Sequence, residues 1–259
     1  MDVKIETYIP TEQLRPFIKE YVVIESSANL VNRVLPETSL AIAFRFSGQI
    51  DYIIEGRNNS LPASVISGLR KSPRLINYLA DTGAIVVKFQ ETGAHAFLKE
   101  PLNELFGESV SLDNFIKQQT IDRVQEQLAE AKNNIQRIAH IEQLLLSVLN
   151  FSHSDTLITA AVQRIHALKG FIEIKALADG LYISLDAFEK RFRKTVGTSP
   201  KQFASIVRMK AVIKNIQPTQ TFTEVAFEAG FFDQAHFNKQ FKVFTGLAPA
   251  DFFRLSPRW

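Results

Sequence analysis

Hydrophobic and polar side chains alternate along much of the first ~110 residues, with the two-residue period of a β-strand. In SLAIAFRFSG at 39–48, one register holds Leu40, Ile42, Phe44 and Phe46, and the other holds Ala41, Ala43 and Arg45. Similar short runs at 49–60, 62–70 and 84–93 are bounded by Gly, Asn or Pro. Many short strands with such turns predict an antiparallel barrel or jelly-roll in this part of the chain.

The hydrophobic period lengthens to three and four residues from about residue 111, which predicts helices. Ser111-Leu112-Asp113 predicts the first helix start. The first run then holds Phe115, Ile116, Ile121, Val124 and Leu128, and the second holds Ile135, Ile138, Ile141, Leu144, Leu145, Val148 and Leu149. We expect two helices within about 111–150 that lie on the strand domain. The alternative is that one of them also forms a dimer seam.

A short polar segment, NFSHSD at 150–155, divides the chain into predicted domains of residues 1–153 and 154–259. The second domain is predicted to be almost entirely helical. The first helix is predicted to run from Asp155 to a stop at Gly170, and the next two begin near Ile174 and Ser184. A fourth begins at Ser199-Pro200 and ends near Ile216. The capping box Thr221-x-x-Glu224 and the pair Ala248-Pro249 mark the starts of the last two.

The helical domain contains an internal repeat at an offset of 49 residues, between 187–203 and 236–252. The matching pairs are Phe188 with Phe237, Lys190 with Lys239, Phe192 with Phe241, Arg193 with Lys242, Gly197 with Gly246, Pro200 with Pro249, and Phe203 with Phe252. A short helix precedes each copy, so each copy predicts a helix-turn-helix unit. The phenylalanines stand four residues apart and share a helix face that we expect to be core. The remaining face is polar, as a helix facing base edges in the DNA major groove requires.

Charge changes the picture only moderately. The chain carries a net charge of +3, but residues 1–154 hold 15 Lys and Arg against 18 Asp and Glu, a net of −3. Residues 155–259 hold 15 against 9, a net of +6, which favours a partner with phosphates. There is no cysteine, and the five histidines are scattered, so no metal and no other cofactor is expected. No run of 18 apolar residues and no secretory signal stands out, so we expect a soluble, cytoplasmic protein without membrane contact.

The two repeat segments, IKALADGLYISLDAFEKRFRKTVGTSPKQF and TFTEVAFEAGFFDQAHFNKQFKVFTGLAPADFF, resemble the two helix-turn-helix halves of the AraC/XylS family of bacterial transcription regulators. The resemblance covers about 100 residues. It implies an α+β protein, with a cupin-like N-terminal domain that senses a small molecule or dimerises and a seven-helix C-terminal domain. The implied partners are double-stranded DNA, RNA polymerase, a small-molecule effector and a second copy in a homodimer. One departure from the family pattern is Tyr182, which stands where a turn glycine is expected.

Site residues follow from the outward positions of the two predicted recognition helices, about 184–196 and 233–245. The candidates for base contact are Gln234, His236, Asn238, Lys239, Asp186, Glu189 and Lys190. The candidates for phosphate contact are Ser184, Arg193, Lys194 and Lys242. Each can instead be a solvated surface residue. Because Asp186 and Glu189 oppose the attraction of phosphates, the first unit can also serve mainly to position the domain.

The sequence leaves two alternatives for the N-terminal domain, each of which makes the protein a different kind of regulator. One responds to a ligand held in the barrel, and the other has no effector and is controlled by its abundance or by a protein partner. An enclosed apolar cavity with a few polar groups favours the first. A catalytic cupin needs several histidines, and only His95 lies in the strand region, so we do not expect an enzyme.

Overall fold

The chain is described by a computed structural model over residues 3–98, 100–150, 155–217 and 220–255. The boundary predicted between residues 153 and 154 falls on residues outside the described ranges. Within those ranges no helix is both long and apolar enough to cross a membrane.

The described residues of the N-terminal part form ten strands, all antiparallel, in two sheets. The strands are β1 (Val3–Tyr8), β2 (Ile18–Ser26), β3 (Leu30–Val34), β4 (Ala41–Ser47), β5 (Ile50–Ile54), β6 (Arg57–Ser60), β7 (Ser64–Ser67), β8 (Arg74–Tyr78), β9 (Thr82–Phe89) and β10 (Ser109–Ser111). One sheet has the order β1-β2-β9-β4-β7-β10 and the other β3-β8-β5-β6. This arrangement confirms the predicted β-rich antiparallel domain and the mixed α+β class.

Strand β4 shows what the two registers of its alternating sequence do. Ile42 and Phe44 are almost completely buried in the main core. The opposite register, with Ala41, Ala43 and Arg45, lines a cavity instead. Small side chains on that register leave the space open, because a strand places successive residues on opposite faces.

Two helices lie against the larger sheet, α1 (Gln118–Glu130) and α2 (Asn134–Val148). The buried Glu142 fixes α2 to the sheet, since its Oε1 accepts hydrogen bonds from the Thr11 backbone N–H at 2.8 Å and from the Tyr21 hydroxyl at 3.1 Å. The predicted stripe of α2 was wrong at Ile135, which is 69% exposed in the first turn.

The predicted start of α1 at Ser111 was also wrong. Residues Leu112–Asn114 form a single 3-10 turn, and the α-helix begins only at Gln118. The Ser111 side chain makes no capping bond, and Lys117 is extended with φ −51° and ψ 131°. Burial of Leu112 and partial burial of the next two apolar residues hold this segment on the core before the helix begins.

The C-terminal part contains seven α-helices among its described residues. They are α3 (Thr156–Ala167), α4 (Ile174–Asp179), α5 (Leu185–Val196), α6 (Pro200–Asn215), α7 (Phe222–Glu228), α8 (Gln234–Thr245) and α9 (Pro249–Arg254). Their ends follow the predicted signals: Ser199 caps α6 with Pro200 at its first position, and Thr221 and Glu224 form a capping box at α7. The fully buried aromatic core is Phe188, Phe192, Phe203, Phe237, Phe241 and Phe252.

Candidate nucleic-acid interface

The two helix-turn-helix units are α4–α5 and α7–α8, and their turns share one backbone arrangement. The Ile183 N–H donates to the Ala178 carbonyl at 3.2 Å, and the Phe231 N–H donates to the Ala226 carbonyl at 2.9 Å. These bonds make Tyr182 equivalent to Gly230, with φ of +56° and +71°. The sequence departure therefore adopts the left-handed conformation that its position requires.

The second unit has one extra residue between its turn and helix α8. That residue is Phe232, and its side chain is 86% exposed. Asp233 follows it and caps α8, where its Oδ1 accepts from the His236 backbone N–H at 2.6 Å. Ser184 caps α5 in the same way, with a longer bond of 3.4 Å from the Ala187 N–H.

Helix α8 presents a cationic face to solvent. Phe237 and Phe241 point into the core, and at about 100° per residue Ala235, Lys239 and Lys242 lie on the opposite side. All three opposite residues are exposed. The small Ala235 side chain between two ammonium groups allows close approach to a polyanion.

Three other predicted base-contact residues on α8 lie beside this face. The Gln234 Oε1 accepts from the Thr223 hydroxyl at 2.6 Å, so the preceding helix α7 positions its carboxamide. The exposed His236 ring meets the Phe231 ring edge-on, with centroids 5.5 Å apart. Asn238 is half-buried, and its Oδ1 is buried without a hydrogen-bond partner among the described residues.

Helix α5 presents a face of mixed charge. Asp186, Lys190 and Arg193 lie opposite the buried Phe188 and Phe192 by the same helical spacing. Glu189, on the flank, accepts from Arg193 Nη2 at 3.2 Å. Lys194 is also exposed. The first unit therefore offers both donors and acceptors, whereas the outward face of the second is cationic.

Helix α6 ties the two units together. Phe203 packs edge-on against Phe192 of α5, with centroids 5.5 Å apart. Arg208 lies 5.6 Å from the ring centroids of both Phe171 and Phe231, and it donates to the Gly170 carbonyl at 3.0 Å. Burial lowers the pKa of the Arg208 guanidinium. A shared aromatic core of this kind fixes the separation of two helices.

The N-terminal part packs against the C-terminal ends of helices α5 and α8. Arg33 of β3 donates to the Thr245 carbonyl at the end of α8, at 3.2 Å. Gly197, which ends α5 with φ +92°, lies so close to Leu102 that an added Cβ would be 3.2 Å from its carbonyl oxygen. The outward faces described above remain exposed in this arrangement.

Sequence reasoning missed two residues of this surface. Ala235 was passed over because it carries no polar group, although the helical period alone places it outward. Thr223 lies on another helix, and no local signal connects it with Gln234, eleven residues further on.

Two family models match the chain. A helix-turn-helix domain model matches residues 177–255, and a domain of unknown function (DUF6597) matches residues 6–111. The first match covers both units described here, and the second covers the strands.

The chain is similar to the Msm operon regulatory protein of Streptococcus mutans, with 32% identity over 120 residues, or 44% of this chain and 42% of that protein. It is also similar to an uncharacterized HTH-type transcriptional regulator of Haemophilus influenzae, with 29% identity over 113 residues, or 43% of this chain and 37% of that protein. The chain thus matches well under half the length of each relative. Neither relative is described as an enzyme.

Among solved structures, ToxT from Vibrio cholerae aligns with 99% of this chain and 100% of its own, at 10% identity and a TM-score of 0.45. The C-terminal domain of AraT, a response regulator from Geobacillus stearothermophilus, aligns with 40% of this chain and 92% of its own, at 19% identity and a TM-score of 0.37.

Proposed function

We propose that the C-terminal domain is a DNA-binding domain of the AraC/XylS family of helix-turn-helix transcription regulators, and that its helices α5 and α8 bind successive major-groove segments of one DNA duplex. The segments lie about 34 Å apart on one face of B-form DNA. The protein would thus be a sequence-specific transcription regulator whose N-terminal domain controls when or where it binds.

The cationic face of α8 is the observation that carries this proposal. Lys239 and Lys242 flank the exposed Ala235 on a helix whose other side is locked into the core. Lysine at these positions can bind guanine O6 and N7 or a phosphate oxygen. At the N-terminal turn, Gln234 can pair with adenine, since its carbonyl oxygen has a second lone pair beside the bond from Thr223.

For α5 we propose a mixed role. Lys190 is equivalent to Lys239 and is assigned the same kind of contact, while Asp186 and Glu189 can accept from cytosine N4. Ser184, Arg193, Lys194 and Lys242 are assigned to phosphates. His236 and Asn238 are assigned to the edge of the contact, with the half-buried Asn238 better placed for the backbone than for a base.

For the N-terminal domain we propose the ligand-responsive regulator rather than the effector-independent one. The support is a cavity between the two sheets, lined in part by residues of helix α6. A ligand there would touch the helix that joins the two DNA-binding units. The resemblance to this family extends the proposal to contact with RNA polymerase and to a homodimer. Sedimentation of the protein with and without DNA would measure the homodimer.

The test is selection of bound sequences from random duplex DNA with the full chain, followed by methylation protection on the selected site. We expect protected guanines in two major-groove segments about 10 base pairs apart. Lys239→Ala should weaken binding to the selected site about tenfold. Lys132→Ala, which removes an exposed lysine between α1 and α2, is the control and should bind normally. Enrichment of no sequence, or equal affinity of both variants, would refute the proposal.

A further inference from the structure

A cavity of about 580 Å³ lies between the two sheets of the N-terminal domain. This volume is typical of small-molecule sites, which span roughly 300–1,000 Å³. Its walls are mostly apolar and come from strands of both sheets, with Val22, Ile24, Ala43, Val65, Ile76 and Val86 among them. The interior of this domain is therefore open enough to hold a compact organic molecule.

The charged residues around the cavity are unequal in sign. Seven of the lining residues are Lys or Arg and three are Glu. Each of the three carboxylates already has a cationic or imidazole partner: Glu20 pairs with Lys88 at 3.0 Å, Glu91 with His166 at 3.1 Å, and Glu37 with Lys210. The surplus of positive charge at the cavity is thus not neutralised by the carboxylates that line it.

Arg70 is one of the cations that line the cavity. Its Nε and Nη1 atoms are buried and have no hydrogen-bond partner among the described residues. Burial, together with the positive charge of the neighbouring Arg74, lowers the pKa of the Arg70 guanidinium to about 10. The Tyr52 hydroxyl and the Glu37 carboxylate partly oppose this lowering, but they leave the Nε and Nη1 donors unpaired. Buried donors without a partner are costly, and proteins retain few of them.

The neighbouring Arg74, in contrast, has hydrogen-bond partners for its guanidinium group. Arg74 Nη1 donates to the Tyr52 hydroxyl at 2.8 Å, and Nη2 donates to the Gly107 carbonyl. Arg45 also lines the cavity and has a buried Nε without a described partner, but its Nη1 donates to the Gly48 carbonyl. Arg70 is distinguished by two unused buried donors on one guanidinium.

We propose that this cavity binds a small organic anion with an apolar body, and that Arg70 binds its anionic head. The planar guanidinium fork matches the oxygens of a carboxylate, sulfonate or phosphate group, while the strand side chains surround the body. The anion would satisfy the donors that the protein itself leaves unused. Binding of the anion does not depend on the proposed function of the protein. Only the further step, in which the bound anion regulates DNA binding, rests on that function.

The same cavity gives the ligand a route to the DNA-binding units. Lys210, Ile213 and Lys214 of α6 line its wall, and Lys210 pairs there with Glu37. An anion in the cavity would compete with Glu37 for the ammonium group of Lys210. Because α6 joins α5 to α7, a shift of this contact alters the two units together.

The experiment uses two fluorescent probes that differ by one charged group. The anion 8-anilinonaphthalene-1-sulfonate has an aromatic body and a sulfonate, and N-phenyl-1-naphthylamine has the same body without it. We expect the full-length protein to bind the sulfonate at one saturable site at least about tenfold more tightly than the neutral probe. Arg70→Met should remove that preference. Arg57→Met, an exposed position on β6, should retain it.

The outcomes separate the possibilities. Equal binding of the two probes, or an unchanged preference in R70M, overturns the inference, and loss of preference in Arg45→Met but not in R70M overturns the choice of Arg70. Should R70M fail to fold, Arg70→Lys keeps the charge but loses the fork and should weaken sulfonate binding several-fold; unchanged binding in R70K then overturns the inference. Arg70-dependent probe binding in a protein that binds no DNA would support the ligand site and refute the proposed function.

Discussion

Tyr182 holds in the first helix-turn-helix unit the backbone position that Gly230 holds in the second. Both residues have positive φ, +56° for Tyr182 and +71° for Gly230. The Tyr182 side chain is 100% exposed, so packing against the domain does not offset the steric cost of its conformation. The two units thus form the same turn with residues of very different conformational freedom.

Replacing Tyr182 by Gly should stabilise the protein slightly. Removing the strain of the left-handed conformation stabilises the folded protein by about 1 kcal/mol. The greater conformational freedom of glycine in the unfolded chain offsets about half of this gain. We therefore expect Y182G to raise the free energy of unfolding by about 0.5 kcal/mol in urea titrations.

The matched substitution Gly230→Ala should act in the opposite direction. An added Cβ would lie 2.2 Å from the Phe171 ring, and the positive φ disfavours any L side chain. We expect a loss of about 1–3 kcal/mol of unfolding free energy. A destabilised Y182G, or a G230A as stable as the parent, would show that the turns are not strained in the way described.

Gln234→Ala should relax base preference at one position of the selected DNA site. A lost bidentate pair with adenine costs about 1–3 kcal/mol on the cognate sequence and nothing on a sequence already mismatched there. Lys242→Ala, assigned to a phosphate, should instead weaken all sequences alike and reduce the slope of log affinity against log salt by about 1. Fluorescence anisotropy titrations at several salt concentrations measure both effects.

Thr223→Val tests how Gln234 is positioned. The Thr223 hydroxyl donates to Gln234 Oε1 at 2.6 Å, and valine keeps the shape without the donor. We expect a smaller loss of the same base preference, about 0.5–1.5 kcal/mol, and no further effect in a T223V variant that already carries Q234A. Additive losses in this double-mutant cycle would show that Thr223 acts independently of Gln234.

Ala235→Leu should block the approach of α8 to the groove. The position is exposed opposite the buried phenylalanines, so a larger side chain is tolerated by the fold but stands between the helix and the bases. We expect at least about tenfold weaker specific binding with an unchanged melting temperature. Ala250→Leu adds the same bulk at an exposed position of α9 and should bind DNA normally. Equal affinity of both variants would place the DNA elsewhere.

The parts of the fold that sequence predicts well are the locally determined ones. Ser199 before Pro200 and the Thr221–Glu224 capping box satisfy backbone groups within four residues, so the sequence alone specifies these helix starts. Strand pairing is different. β2 pairs with β9, residues more than fifty positions away, and no local pattern states which strands are neighbours.

The residues of the candidate site also differ in whether the local sequence is enough to predict their roles. Helical spacing is enough to put Lys239 and Lys242 on an outward face, and the capping role of Ser184 follows from its position. The bond between Thr223 and Gln234 needs the angle between two helices. The unused donors of Arg70 depend on side chains that several separate strands bring to it, so the run at 62–70 could be read only as a strand.

The contact between the domains should weaken in acid. Glu91 accepts from His166 Nε2 and from the Thr38 hydroxyl, at 3.1 and 3.0 Å. Burial alone would raise the pKa of the Glu91 carboxyl, but the hydrogen bond from His166 and the other donors outweigh it and hold that pKa below its usual value. A carboxylate with a depressed folded-state pKa stabilises the protein above its unfolded-state pKa, about 4.3, and loses that contribution as pH falls through the folded value.

Glu91→Gln should therefore lower the melting temperature by about 2–4 °C at pH 6, as expected for a contribution of about 1 kcal/mol in a chain of this size. The difference between variant and parent should shrink as the pH falls below the unfolded-state pKa of about 4.3, and it should vanish once the pH lies below the folded-state pKa of Glu91, because both proteins then carry an uncharged side chain at this position. Calorimetric scans across this range measure it. The exposed Glu12→Gln serves as the control and should show no such pH-dependent difference. A difference that does not shrink as the pH falls below about 4.3 would mean that Glu91 acts through packing rather than through its charge.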